Sequence, residues 1–266
     1  MTGSSADPTA RFTSRAADYA EARPRYPDSL VQLLTTELAL DPDSIIADIG
    51  AGTGLSAEPF LRAGFGVVCV EPNAAMRAQA AQLLASYPGF RGAAGSAEDT
   101  GLDDDSVDLV LVAQAFHWVD VSRAQREFRR ILRPPGRVCI AWNTRRRTGS
   151  AFLAGYEALL RRFGTDYEEV DRRTARLTGI DGQGGEELHR FFPHGHAHRV
   201  LENRQQLTLD GLVRRIRSSS YMPDAASPAY AAMLAAFQAL FAAESRDGTV
   251  ELRYDLHVYL GRLLAH

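Results

Sequence analysis

Ile45-Ile46-Ala47-Asp48-Ile49-Gly50-Ala51-Gly52-Thr53-Gly54 is the stretch from which the rest of the chain can be read. A short apolar run carries an acid at its end, and glycines at alternate positions follow at once. Leu55 to Arg62 then has the composition of a helix start. Strand, tight turn and helix in that order bring backbone N–H groups close to a ligand. Gly50, Gly52 and Gly54 lack a Cβ, so the turn can take positive φ and a ligand can lie against bare backbone. An ordinary tight turn between a strand and a helix could carry the same glycines. The acid beside them favours a nucleotide-binding turn.

Working outward, Phe65–Glu71 is a second strand, with the continuous apolar body Gly-Val-Val-Cys-Val of a strand buried on both faces. It ends at Glu71, about twenty residues past the glycines, where an acid can accept hydrogen bonds from ribose hydroxyls. Pro72-Asn73 opens a helix through Ser86. Phe90–Ala94 is a third strand, followed by the polar turn Gly95–Asp99. Val107–Ala113 is the fourth and runs into Gln114-Ala115-Phe116-His117-Trp118. Asp120 or Ser122 caps the next helix, Arg133–Gly136 is a turn, and Arg137–Trp142 is the fifth strand. Strands alternating with helices in this way predict βαβ units and a parallel sheet. Right-handed crossovers then place strands one and four at the switch point, with a ligand crevice at their C-terminal ends. Gly50–Gly54, Glu71, Ala97–Asp99 and Gln114–Trp118 all fall at those ends, a coincidence stronger than any one motif.

Upstream, Met1–Thr9 is small and polar, and Arg11–Pro27 reads as an amphipathic arm rich in Arg and Tyr. Asp28 is the expected N-cap of a helix through Leu38. Past Asn143 the alternation stops. Ser150–Phe163 has apolar residues at helical spacing, and Gly164–Glu187 is a polar, glycine-containing segment that reads as mobile. Arg199–Thr208 reads as a strand, and Leu209–Ser219 and Ala229–Ala243 as helices. Val250, Leu252, Tyr254, Leu256 and Val258 alternate with polar residues, the pattern of a half-exposed, antiparallel strand. The expected fold is therefore α/β, a Rossmann-like doubly wound sheet, mostly parallel with an antiparallel edge strand, plus a helical cap. It divides into an N-terminal arm and helix (1–43), a ligand-binding core (44–143) and a C-terminal part (144–266) that completes the sheet and inserts the cap helices.

Composition narrows the function classes. The 266 residues are 45% hydrophobic and 24% charged, which suits one sizeable α/β domain, with or without a subdomain. A net charge of -3 gives no global pull toward nucleic acid. Cys69 and Cys139 lie in apolar runs and read as buried, reduced thiols. No apolar stretch approaches the ~20 residues of a membrane span, and the N-terminus has no signal-type apolar region, so a soluble cytoplasmic protein is expected.

Read from Asp48, the turn is D-x-G-x-G-x-G, and it resembles motif I of the class I S-adenosylmethionine (SAM) methyltransferases. The core resemblance covers about Ser44 to Asn143. The arm is similar to the F-x6-Y-x3-R-P-x-Y-P opening of one bacterial and fungal branch, in the broad group that includes trans-aconitate methyltransferase. It stands here as Phe12, Tyr19, Arg23-Pro24 and Tyr26-Pro27. That branch also tends to carry a His-Trp pair after strand four, here His117-Trp118, and a Ser-x-Ser-Tyr turn, here Ser218–Tyr221. The resemblance implies a SAM-dependent methyltransferase acting on a small molecule; O-methylation of a carboxylate or hydroxyl is favoured, the carboxylate because the crevice surroundings are rich in arginine. It implies that Asp48 orients the turn and that Gly50, Ala51 and Gly52 pass their backbone against the cofactor. Glu71 then binds the ribose, Pro72 or Asn73 and Ala97 flank the adenine, and Glu98 lies near its amino group. Gln114 and Ala115 line the path to the sulfonium, and Tyr19 and Arg23 close over the cofactor.

At the acceptor side, His117 is the candidate base for a hydroxyl acceptor. Trp118, Arg145 and Tyr221 are candidate substrate residues, although packing and a solvated charge run at Arg145–Arg147 explain them equally simply. His189, His194, His196 and His198 resemble a ligand set on paper, but without cysteines they read as loop or strand surface, and no metal is expected. Two rivals remain. Gly52-x-Gly54-x-x-Ala57 loosely fits the dinucleotide pattern of an NAD(P)-dependent oxidoreductase, though all 30 basic residues are Arg and no Tyr-x-x-x-Lys pair exists. A non-catalytic SAM-binding protein fits the same motifs. The expected partner is a small-molecule methyl acceptor, with no nucleic acid and no membrane, and the expected state is a monomer or homodimer.

Overall fold

In the computed structural model, which describes residues 22–179 and 184–263, the glycine-rich turn leaves the end of β1 (Ile45–Ile49). The other strands are β2 (Gly66–Val70), β3 (Phe90–Ala93), β4 (Val107–Ala113), β5 (Leu132–Arg145), β6 (His196–Leu207) and β7 (Val250–Arg262). They form one sheet in the order β3-β2-β1-β4-β5-β7-β6. β1 to β5 run parallel, and β7 lies antiparallel between β5 and β6. The order reverses between β1 and β4, so the switch point lies where the glycine turn and Gln114 emerge. This is the expected Rossmann-like doubly wound sheet with an antiparallel edge.

Alternate residues of the central strands feed two apolar layers. On one face Ile46, Leu109, Leu111 and Cys139 pack with Leu30 and Leu34 of α1 (Asp28–Leu38) and Phe60 of α2 (Glu58–Arg62). On the other, Ala47, Val110, Val112 and Ile140 meet Ala124, Phe128 and Ile131 of α4 (Val121–Ile131). Between these helices in sequence, α3 (Ala74–Leu83) starts at Asn73, whose side chain accepts from the N–H groups of Ala75 and Met76. Cys69 and Cys139 are buried free thiols. Among the described residues no helix is long and apolar enough to cross a membrane.

The cap follows from strand lengths. β5 pairs with β7 only as far as Arg145↔Tyr254, whereas β6 and β7 continue together to Leu207↔Val250. Their ends therefore project past the C-terminal edge of the parallel strands, on the side of the glycine turn. A third apolar cluster grows on that projection. Phe152, Leu153, Tyr156 and Leu160 of α5 (Ala151–Phe163) pack with Met233 and Phe237 of α9 (Tyr230–Glu244) and with Leu207, Leu252 and Tyr254 of the strands. Leu212 and Ile216 of α8 (Leu209–Arg217) complete it.

Several local expectations are corrected. The segment read as mobile, Gly164–Glu187, contains α6 (Tyr167–Thr178) and the first two residues of α7 (Glu186–Phe191). α6 is tied down by the Tyr167 hydroxyl bonding to another helix, which no periodicity reveals. Asp28 is the first residue of α1 and not its cap; Pro27 occupies the cap position without a side-chain bond. Arg133–Gly136 lies within β5 as an irregularity, because pairing jumps from Val107↔Leu132 to Leu109↔Arg137.

Candidate functional site

The glycine turn is held in a conformation that side chains resist. Gly50 and Gly52 have φ of +67° and +57°. A Cβ on Gly50 would sit 2.6 Å from the Cβ of Ala115, so the turn presses against the end of β4. A Cβ on Gly52 would meet nothing within 4 Å, which leaves open room over that peptide. The N–H groups of Gly52 and Asn73 both donate to the Glu71 carboxylate, each at 2.9 Å. Burial pushes the Glu71 carboxyl up, and the two amide bonds hold it back only in part. Beneath the turn, fully buried Asp48 accepts from Ser56 Oγ at 2.6 Å, while its Oδ1 has no hydrogen-bond partner. Desolvation raises its carboxyl to about 7, against the Ser56 bond, and nearby Glu71 adds to the rise.

At the end of β4, Gln114 takes φ +56°, a strained choice for a residue with a side chain. Its Nε2 donates to the Asn143 carbonyl at 3.1 Å, and its Oε1 has no hydrogen-bond partner. The turn Phe116–Trp118 then places the His117 ring between Trp118 and Trp142, with centroids 4.5 and 5.2 Å away. Trp118 is 45% exposed, at the rim.

These pieces border one cavity of about 520 Å³, a volume typical of small-molecule sites. Arg23, Gly50, Ala51, Gly52, Glu71, Pro72, Ala97, Glu98, Gln114, Ala115, His117, Trp118, Arg145 and Tyr221 all line it. Of the remaining sequence candidates, Asp48 lies beneath the lining, and Tyr19 lies outside the described residues. Glu98 is partly engaged, since its carboxylate accepts from the Asp120 N–H at 2.8 Å. Arg145 is not solvated. Its Nη2 bonds Glu157 at 2.5 Å and Tyr167 Oη at 3.0 Å, and its guanidinium lies 4.9 Å from the Tyr156 ring centre. Arg146 turns to Asp255 and Arg147 to Asp171. Among the described residues no group of three or more His, Cys, Asp or Glu side chains is placed to hold a metal ion. His196 and His198 lie in β6, and the His198 ring meets His257 at 3.1 Å.

The structure also brings in residues that sequence reasoning missed. Thr53, Asn143, Tyr167, Arg215 and Tyr254 line the cavity. Thr53 could have been found, since it lies inside the glycine motif. Arg215 sits in an arginine-rich helix, where a basic run ordinarily means a solvated face, and nothing local singles it out.

Comparison with known proteins gives the same picture. A methyltransferase-domain family model matches residues 47–140. An uncharacterized methyltransferase of Mycobacterium tuberculosis strain H37Rv is 41% identical over 145 residues, 54% of this chain and 57% of its own. A methyltransferase-like protein of Schizosaccharomyces pombe is 39% identical over 136 residues, 50% of this chain and 52% of its own. The chain thus spans somewhat over half the length of the curated relatives it matches. In three dimensions, an Anaeromyxobacter dehalogenans protein provisionally named a type II methyltransferase superposes with a TM-score of 0.66 at 24% identity, over 92% of this chain and 99% of that one.

Residues 47–140 form a methyltransferase domain.

The cofactor of such a domain is SAM, and this chain's residues suit it. The methyltransferase turn offers an open peptide at Gly52, where a Cβ would find only space. It offers a carboxylate at Glu71, whose oxygens each spend one bond on the backbone and retain lone pairs for hydroxyl donors. It also offers bare acceptor oxygens on Asp48 and Gln114 for a ligand with several donors.

Proposed function

We propose that this chain is an enzyme that methylates a small-molecule acceptor on a carboxylate or hydroxyl oxygen, with SAM as the methyl donor. One observation carries the reading: loops at the ends of β1, β2 and β4 and the C-terminal cap all border the same cavity. SAM, when bound, supplies a methyl group already activated by its sulfonium. What the protein must add is alignment and exclusion of water, and good positioning is worth about 7–11 kcal/mol in such displacements.

Gly50, Ala51 and Gly52 are the backbone cradle in this proposal. Glu71 holds the ribose hydroxyls, Pro72 and Ala97 bracket the adenine, and Glu98 meets its amino edge. Asp48 braces the turn through Ser56, and Gln114 and Ala115 shape the passage to the acceptor. Arg23 closes the cofactor end, with Tyr19 of the preceding arm. Trp118, Arg145 and Tyr221 form the acceptor wall. A carboxylate acceptor is ionised at neutral pH and needs no base. A hydroxyl acceptor loses its proton to His117, the imidazole at the cavity wall. The proposal includes a cytoplasmic monomer or homodimer without nucleic-acid or membrane partners. What supports its small-molecule and nucleic-acid parts is a cavity of about 520 Å³, within the range of small-molecule sites, and a net charge of -3.

The test is transfer of labelled methyl from SAM to panels of small acids, alcohols and phenols, with products identified by mass spectrometry. Methyl esters or ethers are expected. Transfer only to nitrogen or carbon would refute the oxygen assignment. SAM binding without turnover on any acceptor would refute the enzyme.

A further inference from the structure

The cap side of the cavity holds a cation that no carboxylate among the described residues neutralises. Arg215 lies near the end of α8, is 5% exposed and borders the cavity. Its Nη1 donates to Ser219 Oγ at 2.9 Å, and its Nε has no hydrogen-bond partner. Its electrostatic neighbours are the phenols of Tyr156, Tyr221 and Tyr254, which are uncharged at neutral pH. Of the acids on this side, Asp166 also lines the cavity and accepts from Thr165 Oγ1 at 3.3 Å, and the others are committed to other arginines. Glu157 pairs with Arg145 and Arg161, Asp171 with Arg147, and Asp210 with Arg214. No carboxylate among the described residues pairs with Arg215. Burial would push the Tyr221 hydroxyl up, yet Arg215, Arg23, a bond with Ser219 and Arg145 together bring it below its ordinary value.

Burying a cation without a counter-ion is among the costliest things a fold can do. In a closed core that cost selects against the residue. In a cavity wall, an entering anion relieves it. Arginine suits that role, because its planar fork matches a carboxylate and it never deprotonates.

We propose that Arg215 is the anchor for a carboxylate on the methyl acceptor, and so restricts this site to anionic substrates. The proposal rests on the methyltransferase reading and narrows it. Ser219 fixes one edge of the guanidinium, and the phenols of Tyr254, Tyr156 and Tyr221 stand around its charge, Tyr254 within hydrogen-bond reach. The cofactor also brings a carboxylate at its methionine end, and the experiment must separate the two sources.

Wild-type, Arg215→Gln and Arg215→Lys proteins are titrated with S-adenosylhomocysteine and with methylthioadenosine, which lacks the amino-acid end. The S-adenosylhomocysteine-loaded proteins are then titrated with small aliphatic and aromatic carboxylic acids and their matched primary amides. At least one acid is expected to bind wild type at least about tenfold more tightly than its amide. Arg215→Gln should abolish that preference, Arg215→Lys should keep part of it, and S-adenosylhomocysteine affinity should stay within about threefold. Acids and amides binding alike, or no acid binding, overturns the proposal. So does a loss of S-adenosylhomocysteine affinity in Arg215→Gln that methylthioadenosine does not share, because Arg215 would then serve the cofactor. If Arg215→Gln does not fold, the lysine variant and the acid–amide comparison on wild type decide. The enzyme reading fails by a different signature: Arg215-dependent acid binding with no methyl transferred would sink it and leave the anion site standing.

Discussion

At the scale of single residues, the site is built from groups kept short of partners. Asp48 is fully buried with one bare oxygen, and desolvation holds its carboxyl at about 7 against an ordinary 3.8. The sign follows from linkage. Only well below pH ~4 is the acid protonated in both folded and unfolded chains. As pH rises toward 7 the unfolded chain ionises first, so stability falls by up to about 4 kcal/mol. Asp48→Asn should therefore gain on wild type in urea unfolding as pH goes from 4 to 8; a constant gap would show that Asp48 titrates normally. Glu71 works differently, since its carboxylate closes two backbone amides. Glu71→Ala should weaken S-adenosylhomocysteine binding by about 1–3 kcal/mol, read by calorimetry, and an unchanged affinity would remove Glu71 from the cofactor site. Both acids were visible in the sequence, because one sits inside the glycine motif and the other at a fixed spacing from it. Arg215 was not, because its meaning lies in what fails to surround it.

Among elements, the β1 turn and the end of β4 are made for each other. Positive φ at Gly50 and its close approach to Ala115 mean that Gly50→Ala breaks the fit by strain and by contact. A loss of about 1–3 kcal/mol in chemical denaturation is expected. Gly52→Ala meets no neighbour and should cost less stability, yet its methyl enters the room over the peptide and should weaken S-adenosylhomocysteine binding more than Gly50→Ala weakens it per unit of stability lost. Equal losses in both measurements for both variants would mean the two glycines have one role. Apolar runs made β1, β2, β4 and the body of β5 legible in the sequence, and alternation revealed β7. α6 was missed because its anchor is polar: Tyr167 bonds Glu157 at 2.7 Å, and Glu157 belongs to another helix.

Across the whole molecule, the cap is joined to the sheet through that same carboxylate. Glu157 receives Arg145 from the end of β5, Tyr167 from α6 and Arg161 from its own helix. Burial would raise its carboxyl, but the Tyr167 and Arg145 bonds outweigh burial and hold it below the ordinary value. That contribution is present above the usual carboxylate range and is lost as pH falls through the lowered value. Glu157→Gln should leave Arg145 without its counter-charge, at a cost of about 3–5 kcal/mol for a buried pair. Hydrogen exchange should then rise in Tyr167–Thr178 while β1 to β4 keep their protection; unchanged exchange in α6 would show that the cap is held by its apolar core alone. The amino-acid sequence by itself determined the doubly wound sheet, its switch point and the glycine-turn edge of the cavity, because hydrophobic period and turn chemistry are local and are written in order along the chain. Tertiary structure alone decided the opposite edge, the one proposed for the acceptor. There an arginine of α8, phenols of α5, the Ser220–Met222 turn and β7, and a carboxylate of α5 acquire their properties from one another's charge and burial, and no spacing along the chain encodes those distances.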